Sequence, residues 1–154
     1  MNMRVVPKDK LVETVGTRFD PGPWVELDQS RIDTFADCTE DHQFIHVDRE
    51  KAKETPFGGT IAHGFLTLSM LTRMVEGIGI MPENVVMGLN YGFDKVRFLA
   101  PVRAGKRVRA NIEVLDVTPK DDNRFLIKQG ISVEIDGEDT PALVAEWLTM
   151  VIVG

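Results

Sequence analysis

Asp41 and His46, five positions apart, form the pair of side chains best suited to proton chemistry in this sequence. A loop between two short helices can turn both side chains into one pocket. A carboxylate and an imidazole that hold one water molecule can add water to a polarised double bond or remove it. Histidine suits this task because its ordinary pKa of ~6.5 permits proton exchange near neutral pH. The structural alternative is that Asp41 caps a turn and His46 is a partly buried residue with satisfied hydrogen bonds.

A metal site is a second interpretation of the same region, because it contains all three histidines of the chain. His42 and His46 fall on one face of a helix at positions i and i+4, and His63 can complete a three-histidine site. However, Gln43 stands where the zinc-hydrolase motif HExxH carries its glutamate. We therefore expect no metal at this site.

The stretch FGGTIAHGF, residues 57–65, precedes a long apolar run. The first main-chain N–H groups of a helix that begins around His63 and Gly64 have no intrahelical acceptors, so they can stabilise an anion. Gly64 has no side chain to prevent close approach of a ligand to the backbone. Alternatively, the glycines permit tight helix packing and His63 caps the helix. The phosphate-binding pattern GxxxxGK[ST] is absent, so nucleotide hydrolysis has no support.

Helices are predicted in the first half of the chain. Asp28 is a candidate N-cap for a helix over roughly residues 29–38, and Asp48 is a candidate N-cap for a shorter one. Residues 61–76 are apolar on nearly every side, which indicates one helix buried in a core. This run is shorter than the ~20 apolar residues that span a bilayer, and it contains charged residues.

Extended patterns replace helical ones after about residue 84. Four successive strands joined by short polar turns predict an antiparallel sheet, and the apolar helix predicts that this sheet curves around it. The fold class is therefore α+β. A free sheet edge can pair with a second copy, so we expect a homodimer. The residues expected on the buried face are Val108, Ala110, Ile112, Val114, Ile131, Val133 and Ile135.

Composition places limits on location and partners. The 154 residues suit one domain over 1–154, and a net charge of -6 without long charged blocks argues against nucleic-acid binding. The single cysteine, Cys38, excludes an internal disulfide, fits a reducing compartment and is expected to be buried. The N-terminus has no unbroken hydrophobic region typical of a signal peptide. We expect a cytoplasmic protein with no membrane association.

The motif D-x4-H-x5-A, formed by Asp41, His46 and Ala52, is followed by AHG at the start of the apolar helix. Together with the later stretch NYGFDKVRFLAPVRAGKRV, this motif resembles the MaoC-like, R-specific enoyl-CoA hydratase family. The likeness covers about residues 20–152 and is greatest to the branch named after nodulation protein N.

The resemblance implies a hot-dog fold, a dimer and a hydro-lyase of fatty acid metabolism. Such an enzyme hydrates trans-2-enoyl thioesters of coenzyme A to the R-3-hydroxyacyl product, or runs the reverse dehydration. Asp41 and His46 would be the catalytic pair. Asp41 is expected as base and His46 as acid, and the reverse assignment stays open. The backbone N–H of Gly64 would belong to the oxyanion hole. Coenzyme A would enter as part of the substrate, with no other cofactor.

The sequence departs from the family pattern G-D-x-N-P-L-H, because Glu40 replaces glycine, Gln43 replaces asparagine and Phe44 replaces proline. The side-chain amide of Gln43 is expected to support Asp41 or His46. His63 and Asn90 are further supporting candidates.

Other functions of the same fold stay open. A hot-dog thioesterase needs a carboxylate on the central helix, but the apolar run has none before Glu76. A non-catalytic dimeric acyl-binding or signalling protein is the other alternative, since a fold does not determine a function.

Overall fold

The computed structural model describes residues 3–154. The helices are a 3₁₀ helix (Lys8–Thr14), α1 (Gln29–Thr39), α2 (Phe44–Val47), α3 (Arg49–Lys53), α4 (Gly64–Ser69) and α5 (Leu71–Met74). The strands are β1 (Met3–Val6), β2 (Val25–Glu26), β3 (Gly79–Pro82), β4 (Val85–Phe98), β5 (Arg107–Pro119), β6 (Arg124–Ile135) and β7 (Leu143–Val153).

The main sheet is antiparallel, with the strand order β2-β5-β6-β7-β4. Its strands β4 to β7 are the four predicted from the sequence. The predicted alternation is also confirmed, since every residue expected on the inner face of β5 and β6 is buried. All of these side chains except that of Val114 form one core with Leu66, Leu71 and Met74 of α4 and α5, so the sheet curls over these two helices. The α+β class is confirmed.

The central helix differs from the prediction of one continuous helix over residues 61–76. It begins only at Gly64, because Ile61 lies in an antiparallel bridge with Arg103. It is interrupted at Met70, so α4 and α5 are two short pieces. Burial on every side was also a wrong prediction, since Phe65 is 69% exposed. Apolar composition alone did not reveal this open side.

The two shorter helices begin at their predicted caps. The carboxylates of Asp28 and Asp48 accept hydrogen bonds from main-chain N–H groups in the first turns of α1 and α3. Cys38 is exposed, so the prediction that it is buried was wrong. The buried side of α1 carries Ile32 and Ala36, and a residue two positions beyond Ala36 points to the opposite side of a helix.

The N-terminal segment adds a layer that the sequence patterns did not reveal. β1 pairs with β3 in a parallel two-stranded sheet, and the 3₁₀ helix packs against β5. Leu11 of this segment joins a second apolar cluster with the far ends of β5, β6 and β7. Strands as short as β1, β2 and β3 contain too few residues for a recognisable period. Between residues 3 and 154 no helix has both the length and the apolar character needed to cross a membrane.

Candidate active site

His46 lies on α2 and is buried, with 6% of its surface exposed. Its Nδ1 atom lies 2.7 Å from the carbonyl oxygen of Ile61. Because a carbonyl can only accept, Nδ1 carries the hydrogen, and Nε2 is the nitrogen left with a lone pair in the neutral ring. Burial lowers the pKa of His46, outweighing the hydrogen bond to Ile61. His46 is therefore a neutral imidazole that can accept a proton at Nε2.

Asp41 follows the end of α1, and about half of its side chain is exposed. The preceding residue, Glu40, has φ 61°, the left-handed conformation that favours glycine. The glycine in the family pattern therefore suits this backbone better than the glutamate found here. The Asp41 carboxylate accepts a hydrogen bond from the main-chain N–H of Gln43 at 3.3 Å. This turn directs the carboxylate towards His63, whose Nε2 lies 4.0 Å away.

His63 connects the Asp41 turn to the start of α4. Its Nε2 donates to the main-chain carbonyl of Asp41 at 3.0 Å, and its ring stacks on that of His46 with centroids 3.8 Å apart. The ring is buried, and its Nδ1 has no hydrogen-bond partner among residues 3–154. His63 does not cap α4 through its side chain. Its contacts instead hold the two candidate catalytic residues together.

One nitrogen or oxygen atom each of Asp41, His46 and His63 lies within 4.8 Å of the others. These donor types suit a transition metal, and the same spacing suits one water molecule held between a carboxylate and an imidazole. The predicted pairing of His42 with His46 on one helical face was wrong. His42 precedes α2, is exposed and binds Asp37 at 2.8 Å, which raises its pKa.

A cavity of about 460 Å³ adjoins this cluster, which is within the range of small-molecule sites. Apart from the polar cluster, its walls are mainly apolar, so it suits an acyl chain. Besides the cluster, it is lined by Phe57, Ile61, Ala62, Gly64, Phe65, Thr67, Phe98, Leu99, Ala100, Pro101, Val102 and Ala142.

Gly64 lies in the cavity wall at the first position of α4. Its main-chain N–H donates to no acceptor within the described part of the chain. A Cβ atom at this position would lie 3.0 Å from a ring carbon of Phe98, closer than almost all such contacts. Glycine therefore allows the aromatic ring and the free N–H to share this wall.

The other supporting candidates lie in different places. Gln43 contacts Asp41 through its main chain, so the predicted support from its side-chain amide is not seen. Asn90 is on β4, where its Oδ1 accepts from the indole N–H of Trp147 at 3.2 Å, and it does not line the cavity. Sequence reasoning missed Gln29, whose amide donates to the carbonyl of His46 at 2.7 Å. A glutamine beside a helix cap gave no signal of this long-range contact.

Comparison with known proteins identifies the family of the chain. A family model described as the MaoC like domain matches residues 10–134. The chain belongs to this MaoC-like family. Nodulation protein N of Rhizobium leguminosarum is 46% identical over 139 residues, covering 89% of this chain and 86% of that protein.

Two further comparisons concern a named enzyme and a solved structure. The 3-hydroxyacyl-thioester dehydratase Z of Mycobacterium tuberculosis is 41% identical over 136 residues, covering 88% of this chain and 89% of that protein. A solved structure of a monoamine oxidase regulatory protein from Archaeoglobus has a TM-score of 0.79 at 25% identity, covering 100% of this chain and 99% of that chain. The predicted family and the hot-dog fold are confirmed.

Proposed function

We propose that this protein catalyses the R-specific hydration of trans-2-enoyl-CoA thioesters to R-3-hydroxyacyl-CoA, or the reverse dehydration. The observation that carries the proposal is that a carboxylate oxygen of Asp41 lies within 4.8 Å of a ring nitrogen of the neutral His46, at an apolar cavity. Similarity to the dehydratase of M. tuberculosis, named for a 3-hydroxyacyl thioester, supports this reaction class. No metal or redox cofactor takes part in the proposed chemistry.

In the hydration direction, His46 Nε2 takes a proton from a water molecule positioned with the help of Asp41. The water oxygen forms a bond to C3, and the electrons of the double bond move through C2 onto the thioester oxygen. When the carbonyl re-forms, C2 takes up the proton that the water lost, delivered by protonated His46 or through Asp41. One water is added, and both residues return to their starting states. His46 is thus the proposed base, which is the alternative to the assignment expected from the sequence.

The main-chain N–H of Gly64 is proposed to stabilise the negative thioester oxygen. It has no acceptor within residues 3–154 and lies in the wall of the same cavity. A donor that is already in place stabilises a charge that develops during reaction without a reorganisation cost. The apolar wall opposite would accommodate the acyl chain.

The first test is the loss of enoyl-thioester absorbance when the purified protein meets crotonyl-CoA and then longer trans-2-enoyl-CoA substrates. Free thiol is followed in parallel, and chiral chromatography identifies the 3-hydroxy acid. Falling absorbance without thiol release, with an R product, is the expected result. Thiol release would favour a thioesterase, and silence in both signals across all chain lengths would refute the proposal.

We also propose a homodimer formed through β4. This strand is an edge of the main sheet, so one side of its backbone lacks a strand partner among the described residues. It also exposes Val86, Leu89 and Tyr91, each with about half or more of its surface in solvent. A second copy that paired with this edge would satisfy its backbone and cover its apolar side chains.

Sedimentation analysis tests the dimer. Tyr91→Lys on β4 should shift the protein towards a monomer, because a charge would be placed at the proposed contact. Val12→Lys is the matched control, since Val12 is also about half exposed but lies on the 3₁₀ helix. A wild-type protein that sediments as a monomer at all concentrations would contradict the proposed dimer.

A further inference from the structure

A second cavity, of about 450 Å³, lies beside the candidate active site and has a different character. Arg49, Lys53 and Arg103 line it, and no carboxylate residue of the described chain does. This is notable in a chain that has a net charge of -6. The cavity thus concentrates positive charge in a protein whose overall charge is negative.

The two arginines of this cavity have no partner within the part of the chain that the structure describes. Neither guanidinium makes an ion pair or a hydrogen bond with any residue between 3 and 154. Lys53 differs, because it binds Glu50 at 2.9 Å on the solvent side of α3. Two unpaired guanidinium groups in one cavity are suited to an anion with several oxygens, above all a phosphate.

The backbone of residues 58–60 adds neutral donors and open space. Gly59 and Thr60 both line the cavity. Their main-chain N–H groups donate to no acceptor in the described chain. A Cβ built on Gly58 or Gly59 would meet no atom of residues 3–154 within 4 Å, so the surface above this loop is open. A phosphate-bearing chain can therefore lie against it.

One ribbon of backbone separates the two cavities. Ala104 donates to the carbonyl of Thr60 at 3.0 Å, and Ala62 donates to the carbonyl of Val102 at 2.7 Å. Ala62 and Val102 line the candidate active site, whereas Thr60 and Ala104 line the basic cavity. Phe57, at the first cavity, is followed directly by Gly58, at the second. A flexible arm can thus pass from one cavity to the other over this loop.

Taking the proposed function as its basis, we propose that the basic cavity binds the phosphate groups of the nucleotide end of coenzyme A. Arg49 and Arg103 contact the phosphates, and the pantetheine arm crosses the 57–60 loop to the thioester in the apolar cavity. The floor of the basic cavity is also joined to the catalytic residue, because Gln29 accepts from the Thr60 hydroxyl at 2.5 Å and donates to the carbonyl of His46. Gln29 therefore links the proposed phosphate site to His46 through hydrogen bonds.

The test compares Arg49→Gln/Arg103→Gln with the control Arg18→Gln/Arg124→Gln. Both variants lose two exposed arginines, but the control positions lie outside the basic cavity. Isothermal titration with free coenzyme A should show about a tenfold rise in Kd for the cavity variant and little change for the control, as expected for two solvent-exposed charge contacts. Adenosine 3′,5′-bisphosphate should compete with coenzyme A in the wild type.

Kinetics supply a second measurement. For crotonyl-CoA, the cavity variant should show KM raised about tenfold with kcat unchanged, because the lost contacts lie away from the reacting atoms. For the crotonyl thioester of N-acetylcysteamine, which has no nucleotide, both variants should match the wild type. Equal coenzyme A affinity and equal KM in both variants would overturn the phosphate site but leave hydration intact. Arginine-dependent binding without any turnover would instead support the phosphate site and refute the hydratase.

Discussion

Replacing His46 by asparagine separates the chemical role of this residue from its structural role. Among residues 3–154, the imidazole makes one hydrogen bond, from Nδ1 to the carbonyl of Ile61 at 2.7 Å. The asparagine amide nitrogen can occupy nearly the same position as Nδ1 and donate the same bond. Asparagine has no counterpart of Nε2, the proposed proton acceptor. His46→Asn should therefore retain the fold and lose the chemistry.

The expected loss of activity follows from the proposed proton transfer. A positioned acid or base contributes ~10²–10⁴ in rate, so kcat should fall at least ~100-fold. This corresponds to about 3 kcal/mol or more of transition-state stabilisation. Asp41→Asn should cause a similar loss, because the amide retains the acceptor for the Gln43 N–H but removes the charge. The double variant should have a kcat only slightly below that of the less active single variant, since both residues act on one water.

His46→Gln provides the matched control for stability. Glutamine reaches towards the position of Nε2 but leaves the Ile61 carbonyl without its donor. A buried acceptor that loses its partner costs about 1–3 kcal/mol, which is roughly 2–10 °C in Tm for a chain of this length. His46→Asn should unfold closer to the wild type, with a smaller cost from the lost stacking on His63.

The assay is enoyl-thioester absorbance with crotonyl-CoA, combined with thermal unfolding followed by circular dichroism. A folded His46→Asn protein that retains activity within tenfold of the wild type would refute the assignment of Nε2 as proton acceptor. A Tm for His46→Gln equal to that of His46→Asn would contradict the structural role of the Nδ1 bond.

Further predictions concern pH, Gly64 and metals. Because burial lowers the pKa of His46 below its ordinary value, kcat/KM should be level around pH 7 and fall only as acid protonates Nε2, below about pH 6.5. His46 binds a proton more readily in the unfolded chain than in the folded one, so its contribution to stability is present above about pH 6.5 and is lost as pH falls. Denaturation of His46→Asn at several pH values should not show this loss. Gly64→Ala should lower kcat about tenfold or more, because the added methyl group would displace Phe98 and the oxyanion donor. Unchanged kinetics of the folded variant would count against the Gly64 N–H as oxyanion donor. Dialysis against a chelator should leave turnover unchanged, whereas loss of activity that zinc restores would assign the Asp41–His46–His63 cluster to a metal.

Local sequence patterns correctly predicted those structural features that depend on residues close together in the chain. The caps Asp28 and Asp48 start their helices because each carboxylate bonds to N–H groups only a few residues away. The alternation in β5 and β6 identified the buried face, since side chains on a strand point to opposite sides in turn. The motif containing Asp41 and His46 identified the family.

Contacts between distant parts of the chain determined the remaining features. The tautomer of His46 depends on the carbonyl of Ile61, and the position of His63 depends on the carbonyl of Asp41. The central helix starts late because Ile61 pairs with Arg103, a residue far along the chain. The basic cavity likewise combines α3 with the turn before β5. No local periodicity encodes these pairings, because they form only when packing brings separate segments together.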